Sequence, residues 1–419
     1  MPPFASLTLP KGGSHPLNRA SYPLISATIL QIVPGIEVTP SALAAISVAG
    51  ALNAAGGRAL VACTDMLKGE LHARGGIYLP LPPCGSGLAA MALSIWHLAH
   101  LIKQERVDVV HLRSPELGWA AYAAARLTKT PLITSLSSRF ASGNPAAMRC
   151  NSFLARGDLV LADSSFAAGL AAQHYPHAAG KIRIVPRGID GRLFSPGAIS
   201  PARVAELRRS WKIAPHERMV YVSEAAASSA ASLDVVVKAA KLLMRSGLEN
   251  VKFILSMSCR GTARRSREID HAIGREGMQS LMCRAVCADL PAALLAASVA
   301  IAPTPDPRVL GEILLLAQAM GTPAIAANSG AAPEMILAPP AVTDPLRTGF
   351  LVRPGDAPAL AVAIAHALAL GAMARSRLAS RAISHVAAGY SMERICAETL
   401  RAYIDVWRGG EHEWPATRP

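Results

Sequence analysis

Short apolar runs and helical stretches alternate along almost the whole chain. From Ala27 the sequence reads ATILQIVPG, an apolar run ending at Pro-Gly, followed by SALAAISVAGALNAAGG, a helical stretch closed by Gly56 and Gly57. RALVACT then reads as strand, MALSIWHLAHLIKQER as amphipathic helix, VDVVHLRS as strand, LGWAAYAAARLTK as helix and PLITSLSS as strand. GDLVLADS, a further helix and KIRIVPRGID complete the first half. Apolar strands alternating with helices predict a parallel sheet covered on both faces.

The prolines and turn residues of LFSPGAISPARVAEL mark a connection between domains near residues 186 to 200. The same rhythm then restarts with RMVYVSE, SLDVVVKAAKLLMRSG, VKFILSMS, REIDHAIGREGM, SLMCRAVCAD, PAALLAAS, VAIAPTP, GEILLLAQAMG and TPAIAANSG. A last helix, SMERICAETLRAYIDVWRG, comes after the second domain and is free to cross back to the first. The expected organisation is a flexible lead-in over 1–26, Rossmann-like domains over 27–190 and 200–388, and a crossover helix over 389–410. Two doubly wound α/β domains of this kind face a cleft at the carboxyl ends of their strands, where ligands bind.

Composition agrees with two cores. The chain has 419 residues, 51% hydrophobic and 17% charged, with only 5% aromatics, which excludes a disordered or fibrous protein. A formal net charge of +14 favours anionic partners. The densest basic stretch, CRGTARRSRE, reads as a solvated loop, with an anion-binding flap as the alternative. Seven cysteines at irregular spacings fit a reducing compartment, and Cys283 and Cys287, four apart, read as packing residues on one helix face. No window offers about 18 clean apolar residues, so no membrane span is expected. The expected location is the cytoplasm, with attachment at the inner face of a membrane as a variant.

Several segments in order resemble group-1 (family 4) glycosyltransferases: VDVVHLRSPELGWAAYAAARLTKTPLITS, NSFLARGDLVLADSSFAA, KIRIVPRGIDGRLFSP, ADLPAALLAASVAIAPT, LAQAMGTPAIAANSGAAPEMI and TGFLVRPGDAPALAVAI. The resemblance runs from about residue 27 to residue 408. It implies a GT-B fold, an acceptor on the first domain, a nucleotide-sugar donor on the second, transfer with retention, and no metal or other cofactor. The leaving nucleoside diphosphate demands cations and backbone N–H groups, and the sugar and ribose hydroxyls demand acceptors.

Several positions that meet those demands in the family are changed here. The family's Glu-x7-Glu pair, toward sugar and ribose, corresponds to Arg308 and Leu316. Its basic pair corresponds to Ala226 and Ala231, its Gly-Gly loop to Thr39 and Pro40, and its His-Gly to Ser137 and Ser138. What is kept, and what could compensate, defines the candidates. On the donor side Gly311 at a helix start and Gly330 and Glu334 in NSGAAPEMI are kept, with Arg308 and Glu312 as residues that could compensate. On the acceptor side they are His111, Arg113 and Ser114 in HLRS.

Each candidate has a plainer alternative. His111 either contacts the acceptor or shapes its loop, and Glu312 either reaches a ribose or is an acidic residue favoured at a helix start. Arg308 either supplies charge to a diphosphate or is a solvated loop residue, and Glu334 either accepts from the donor or caps local backbone. Asp163 and Asp190 read as turn and cap residues. No catalytic residue is assigned.

Together these readings give the expectation of a glycosyltransferase-like protein of polysaccharide or lipopolysaccharide assembly, impaired or inactive in catalysis. Such a protein would bind a nucleotide sugar or other anionic sugar, or an active glycosyltransferase partner. The alternative is an active retaining transferase with a rearranged donor site. Nucleic-acid binding ranks lower, because the chain lacks a helix-turn-helix, a zinc module and interleaved stacking aromatics.

Overall fold

The computed structural model describes residues 24–33, 40–63, 68–81, 87–113, 115–137, 145–223, 229–248, 250–257, 263–304, 306 and 311–409. The lead-in of residues 1–23 lies outside them, as do Thr39, Ser114, Ser138, Ala226 and Arg308.

The first half folds as a seven-stranded sheet: β1 (Thr28–Ile32), β2 (Arg58–Cys63), β3 (Ile77–Pro80), β4 (Val109–Leu112), β5 (Leu132–Leu136), β6 (Leu159–Ala162) and β7 (Ile182–Ile184). The spatial order is β3-β2-β1-β4-β5-β6-β7, and every pairing is parallel. The second half forms a six-stranded parallel sheet in the order β10-β9-β8-β11-β12-β13. Its strands are β8 (Arg218–Val222), β9 (Val251–Met257), β10 (Met282–Val286), β11 (Val299–Ala302), β12 (Ala324–Ala327) and β13 (Phe350–Val352). These are the two doubly wound Rossmann-like domains that the alternation predicts. The helix Lys68–Ala73 and the strand β3 escape the hydrophobic pattern, because both are short and IYLP is half-exposed at a sheet edge.

Central strands buried on both faces read as continuous apolar runs. Buried polar residues break them, among them Gln31 in β1, His111 in β4 and Thr134 in β5. Gln31 and His111 are register partners across β1 and β4. Both lie toward the face covered by the helices Pro40–Ala54 and Met392–Arg408, since Gln31 donates to the Ala45 carbonyl and His111 meets Tyr403.

The last helix does cross back. Ile189 and Ser391 form a parallel bridge, Ile189 N–H donates to the Tyr390 carbonyl at 2.7 Å, and Met392 N–H donates to the Ile189 carbonyl at 3.0 Å. The Met392–Arg408 helix then lays Ile395, Cys396, Leu400 and Tyr403 into the core of the first sheet.

Two local expectations need correction. The basic stretch is not wholly loop: from Ala263 it is the helix Ala263–Arg275, fixed by Ile269 and Ile273, which are buried four residues apart. Cys283 lies on β10 rather than on a helix, so its spacing to Cys287 is not a helical face. None of the five described cysteines forms a disulfide.

Among the described residues no single helix is long and apolar enough to cross a membrane. One pair, Ala357–Ala369 and Ala372–Tyr390, passes that test only jointly and is bent by 109°. The first of the two packs Leu360, Ile364 and Ala367 into the core of the second domain.

Candidate functional site

The carboxyl ends of β4, β5 and β6 meet the start of the Glu312–Ala319 helix around a cavity of about 340 Å³. His111, Arg113, Ser135, Ser137 and Asp163 line it from the first domain, Arg187 from the segment after β7, and Glu312 from the second domain. Ile395 and Thr399 of the crossover helix close one side.

The first-domain side is a network of buried polar groups. His111 is fully buried, with Nδ1 at 2.7 Å from the Tyr403 hydroxyl and Nε2 at 2.9 Å from Ser135 Oγ. Because both partners are hydroxyls, either tautomer lets one ring nitrogen donate and the other accept. Burial, followed by the charge of Arg113, holds the His111 pKa well below the ordinary histidine range, so the ring is neutral at physiological pH. Burial likewise raises the Tyr403 pKa to about 12, against the pull of the Arg113 guanidinium. Arg113 Nε donates to Gln31 Oε1 at 2.8 Å, and Gln31 Nε2 donates to the Ala45 carbonyl at 3.0 Å. His111 therefore has both ring nitrogens engaged by protein, and Arg113 is braced by a buried amide.

Opposite this network, Arg187 links the domains. Its Nη1 donates to Glu312 Oε2 at 3.1 Å, and its Nε stands 3.7 Å from Asp163 Oδ2. Asp163 is neither turn nor cap: the neighbouring Ser164 caps the Ser165–His174 helix by accepting from Ala167 N–H. Burial raises the Asp163 carboxyl pKa above its usual range, while Arg187 and the Ser164 hydroxyl oppose the shift. Its Oδ2 is buried without a hydrogen-bond partner. Asp190 does behave as a turn residue, accepting from Arg192 N–H and from both ends of the Arg192 guanidinium.

The second-domain side differs. Gly311 precedes the Glu312–Ala319 helix without a side-chain cap. Leu316 is 9% exposed and packed in the apolar core with Leu314, Leu315 and Ala317. Ala231 lies in the first turn of the Ala230–Arg245 helix. Gly330 adopts φ of +59° in the turn after β12, a conformation that favours glycine. That turn leads into Glu334, whose two carboxylate oxygens accept from Ser165 and Phe166 N–H, each at 2.7 Å. Glu334 thus caps the first helix turn of the opposite domain, and Tyr390 Oη holds its backbone carbonyl at 2.7 Å. No cluster of three or more His, Cys, Asp or Glu side chains suited to a metal occurs among the described residues.

Sequence reasoning brought His111, Arg113 and Glu312 to this cleft but missed Arg187, Asp163 and Tyr403. The one available signal was that PRGID and LADSS both follow predicted strands, whose carboxyl ends face the cleft.

The comparisons with known proteins bear on this arrangement directly. Residues 44–192 match the model for Glycosyltransferase Family 4, and residues 216–369 match that for Glycosyl transferases group 1. The chain belongs to the group-1 (family 4) glycosyltransferases. No curated protein matches its sequence. Among solved structures, a glycosyltransferase from Rickettsia africae superposes with a TM-score of 0.78 at 21% identity, covering 92% of this chain and 99% of that one. Anabaena Alr3699/HepE in complex with UDP and glucose gives 0.73 at 18%, covering 90% and 100%. Sucrose-phosphate synthase from Thermosynechococcus elongatus gives 0.71 at 18%, covering 91% and 99%. At these identities the likeness establishes the GT-B fold.

Proposed function

We propose that this glycosyltransferase has lost ordinary transfer from a nucleotide sugar and retains its interdomain cleft for binding an anionic sugar or sugar nucleotide, in the setting of polysaccharide or lipopolysaccharide assembly. The observation that carries the reading is Leu316, packed in an apolar core where the family resemblance expects a carboxylate. A side chain there cannot accept from a ribose hydroxyl. The two nearby carboxylates are already engaged, Glu312 by Arg187 and Glu334 by Ser165 and Phe166. One lost contact to developing charge costs about 2.7–4 kcal/mol of transition-state stabilisation, and several lost together cannot be neutral.

A second reading, an active transferase with a rearranged site, draws support from Asp163. Its raised pKa, and a carboxylate oxygen in the cleft that accepts no hydrogen bond, suit a general acid or base. In that case Arg308, Glu312 and Arg187 would hold the donor.

Calorimetric titration with UDP, GDP, ADP and their sugars separates the two. UDP and UDP-glucose come first, because Alr3699/HepE was crystallised with them. Weak or no nucleotide binding, and no sugar release with any donor, is the expected outcome. Tight binding lost in Arg187→Ala, accompanied by turnover lost in Asp163→Asn, would establish the active reading instead.

A further inference from the structure

Where the helices Ala357–Ala369 and Ala372–Tyr390 meet at their 109° bend, a cavity of about 600 Å³ opens on the second domain. Part of its wall is Phe350, the first residue of β13. The strands of this sheet all run parallel and the cleft lies at their carboxyl ends, so the cavity sits at the opposite, amino-terminal edge. It is a separate place from the cleft. Its volume falls among small-molecule pockets, which span about 300–1,000 Å³.

The lining combines apolar and basic side chains. Phe350, Leu370 and Leu378 supply the apolar part, and Phe350 and Leu378 belong to the domain core. With them stand Arg347, Arg377 and Arg381. Arg377 and Arg381 are four residues apart on the Ala372–Tyr390 helix, which puts them on one face. Arg381 Nε donates to the Arg347 carbonyl at 3.0 Å, and the Arg347 guanidinium lies 4.7 Å from the centre of the Phe350 ring. One carboxylate, Asp344, borders the cavity, and it is ion-paired with Arg347. Arg377 and Arg381 have no carboxylate partner among the described residues. The Arg347 pKa is lowered, first by burial and then by the charge of Arg381, so these two guanidinium groups are close enough to repel. Gly371 precedes the Ala372–Tyr390 helix without a side-chain cap and lines the cavity with Ala372, so the positive end of the helix dipole opens there as well.

We propose that this cavity binds a small phosphorylated molecule with an apolar or aromatic body, its phosphate held by Arg377 and Arg381 and its body seated against Phe350, Leu370 and Leu378. Two features select this chemistry. Guanidinium groups present several N–H donors in one plane, which suits phosphate oxygens, and here two of them lack a carboxylate partner. A sugar body would bring hydroxyls that need acceptors, whereas the one carboxylate at the cavity is already paired and the rest of the contact surface is largely apolar. Arginines on a plain solvated face would account for the charge, but not for a cavity beside them or for the tether that fixes Arg381 to the Arg347 carbonyl. The inference does not rest on the cleft reading, since the two places lie at opposite edges of one sheet.

The test titrates the full chain with phenyl phosphate, inorganic phosphate and benzyl alcohol, followed by ligand-observed NMR. Phenyl phosphate is expected to bind, inorganic phosphate about tenfold more weakly because it buries no apolar surface, and benzyl alcohol not measurably. Arg377→Glu changes an exposed side chain, so its melting curve should match wild type while its Kd for phenyl phosphate rises about tenfold or more. Arg377→Lys, which keeps the charge, should recover part of that loss. Phe350→Leu should weaken phenyl phosphate and leave inorganic phosphate unchanged. A wild-type chain that does not bind phenyl phosphate would overturn the proposal, as would a folded Arg377→Glu protein that binds it like wild type. Binding lost in Arg187→Ala but kept in Arg377→Glu would place the ligand in the interdomain cleft and equally overturn it.

Discussion

The two walls of the cleft have solved the same packing problem in opposite ways. On the first-domain wall, polar side chains sit inside buried strands: His111 is satisfied by Tyr403 and Ser135, and Gln31 by Arg113 and the Ala45 carbonyl. On the second-domain wall the corresponding place is apolar: Leu316 is core, and the remaining carboxylates reach across to the other domain, Glu312 to Arg187 and Glu334 to the start of the Ser165–His174 helix. Leaving a buried polar group unpaired costs about 1–3 kcal/mol, so partners matter here. The first wall keeps its polar residues because the crossover helix supplies Tyr403. On the second wall the two acidic side chains fasten one domain to the other.

The sharpest attack on this contrast is Leu316→Glu. It puts a carboxylate into a site 9% exposed among leucines and alanines. We expect it to destabilise by roughly 3 kcal/mol or more, read from urea denaturation, without restoring nucleotide binding. A stable Leu316→Glu protein that binds UDP would erase the distinction between the walls.

His111→Ala should cost about 2–4 kcal/mol, from the cavity and the two hydroxyls left unpaired. A loss below about 0.5 kcal/mol would mean the first wall is not a network. The same residue gives the wall a pH signature. Protonated His111 is disfavoured in the fold but not in the unfolded chain, so below about pH 6.5 the unfolded chain takes up more protons. Stability from this residue is complete above that pH and falls as pH drops toward the depressed folded value. Melting temperatures followed between neutral and mildly acidic pH should show that decline, and His111→Gln should flatten it.

The smallest effect concerns the fastening. Glu334→Ala removes the acceptor for two backbone N–H groups of the other domain and should cost about 1–2 kcal/mol. Small-angle scattering should also report a larger radius of gyration if the domains open. Unchanged stability and shape would reduce Glu334 to a surface contact.

Much of the fold was legible because it is a local property. TILQI, VVHL and LVLA are strands because runs apolar on both faces must be covered on both faces, and the intervening helices provide the cover. The cleft also followed from topology, and the family resemblance pointed to His111, Arg113 and Glu312 at its edge. The site's wiring was not legible. Asp163 reads as a turn residue in LADSS, and nothing in that pentapeptide foretells a buried carboxyl beside Arg187. The exposure of Trp96 on the Leu88–Gln104 helix was hidden for the converse reason. Apolar residues at helical spacing read as a buried stripe, and only the neighbouring elements decide which stripe is covered.

By itself the sequence determined two parallel α/β domains and a cleft at their strand ends. Only the tertiary structure decided what the surviving polar groups do. His111 meets Tyr403 across 292 residues, Glu334 meets Ser165 across 169, and Arg187 meets Glu312 across 125. Hydrophobic periodicity reports whether a residue is covered, which is set within a few turns of chain. The partner that satisfies a buried polar group comes from wherever the chain happens to return, and here that return is made by the crossover helix and the facing domain.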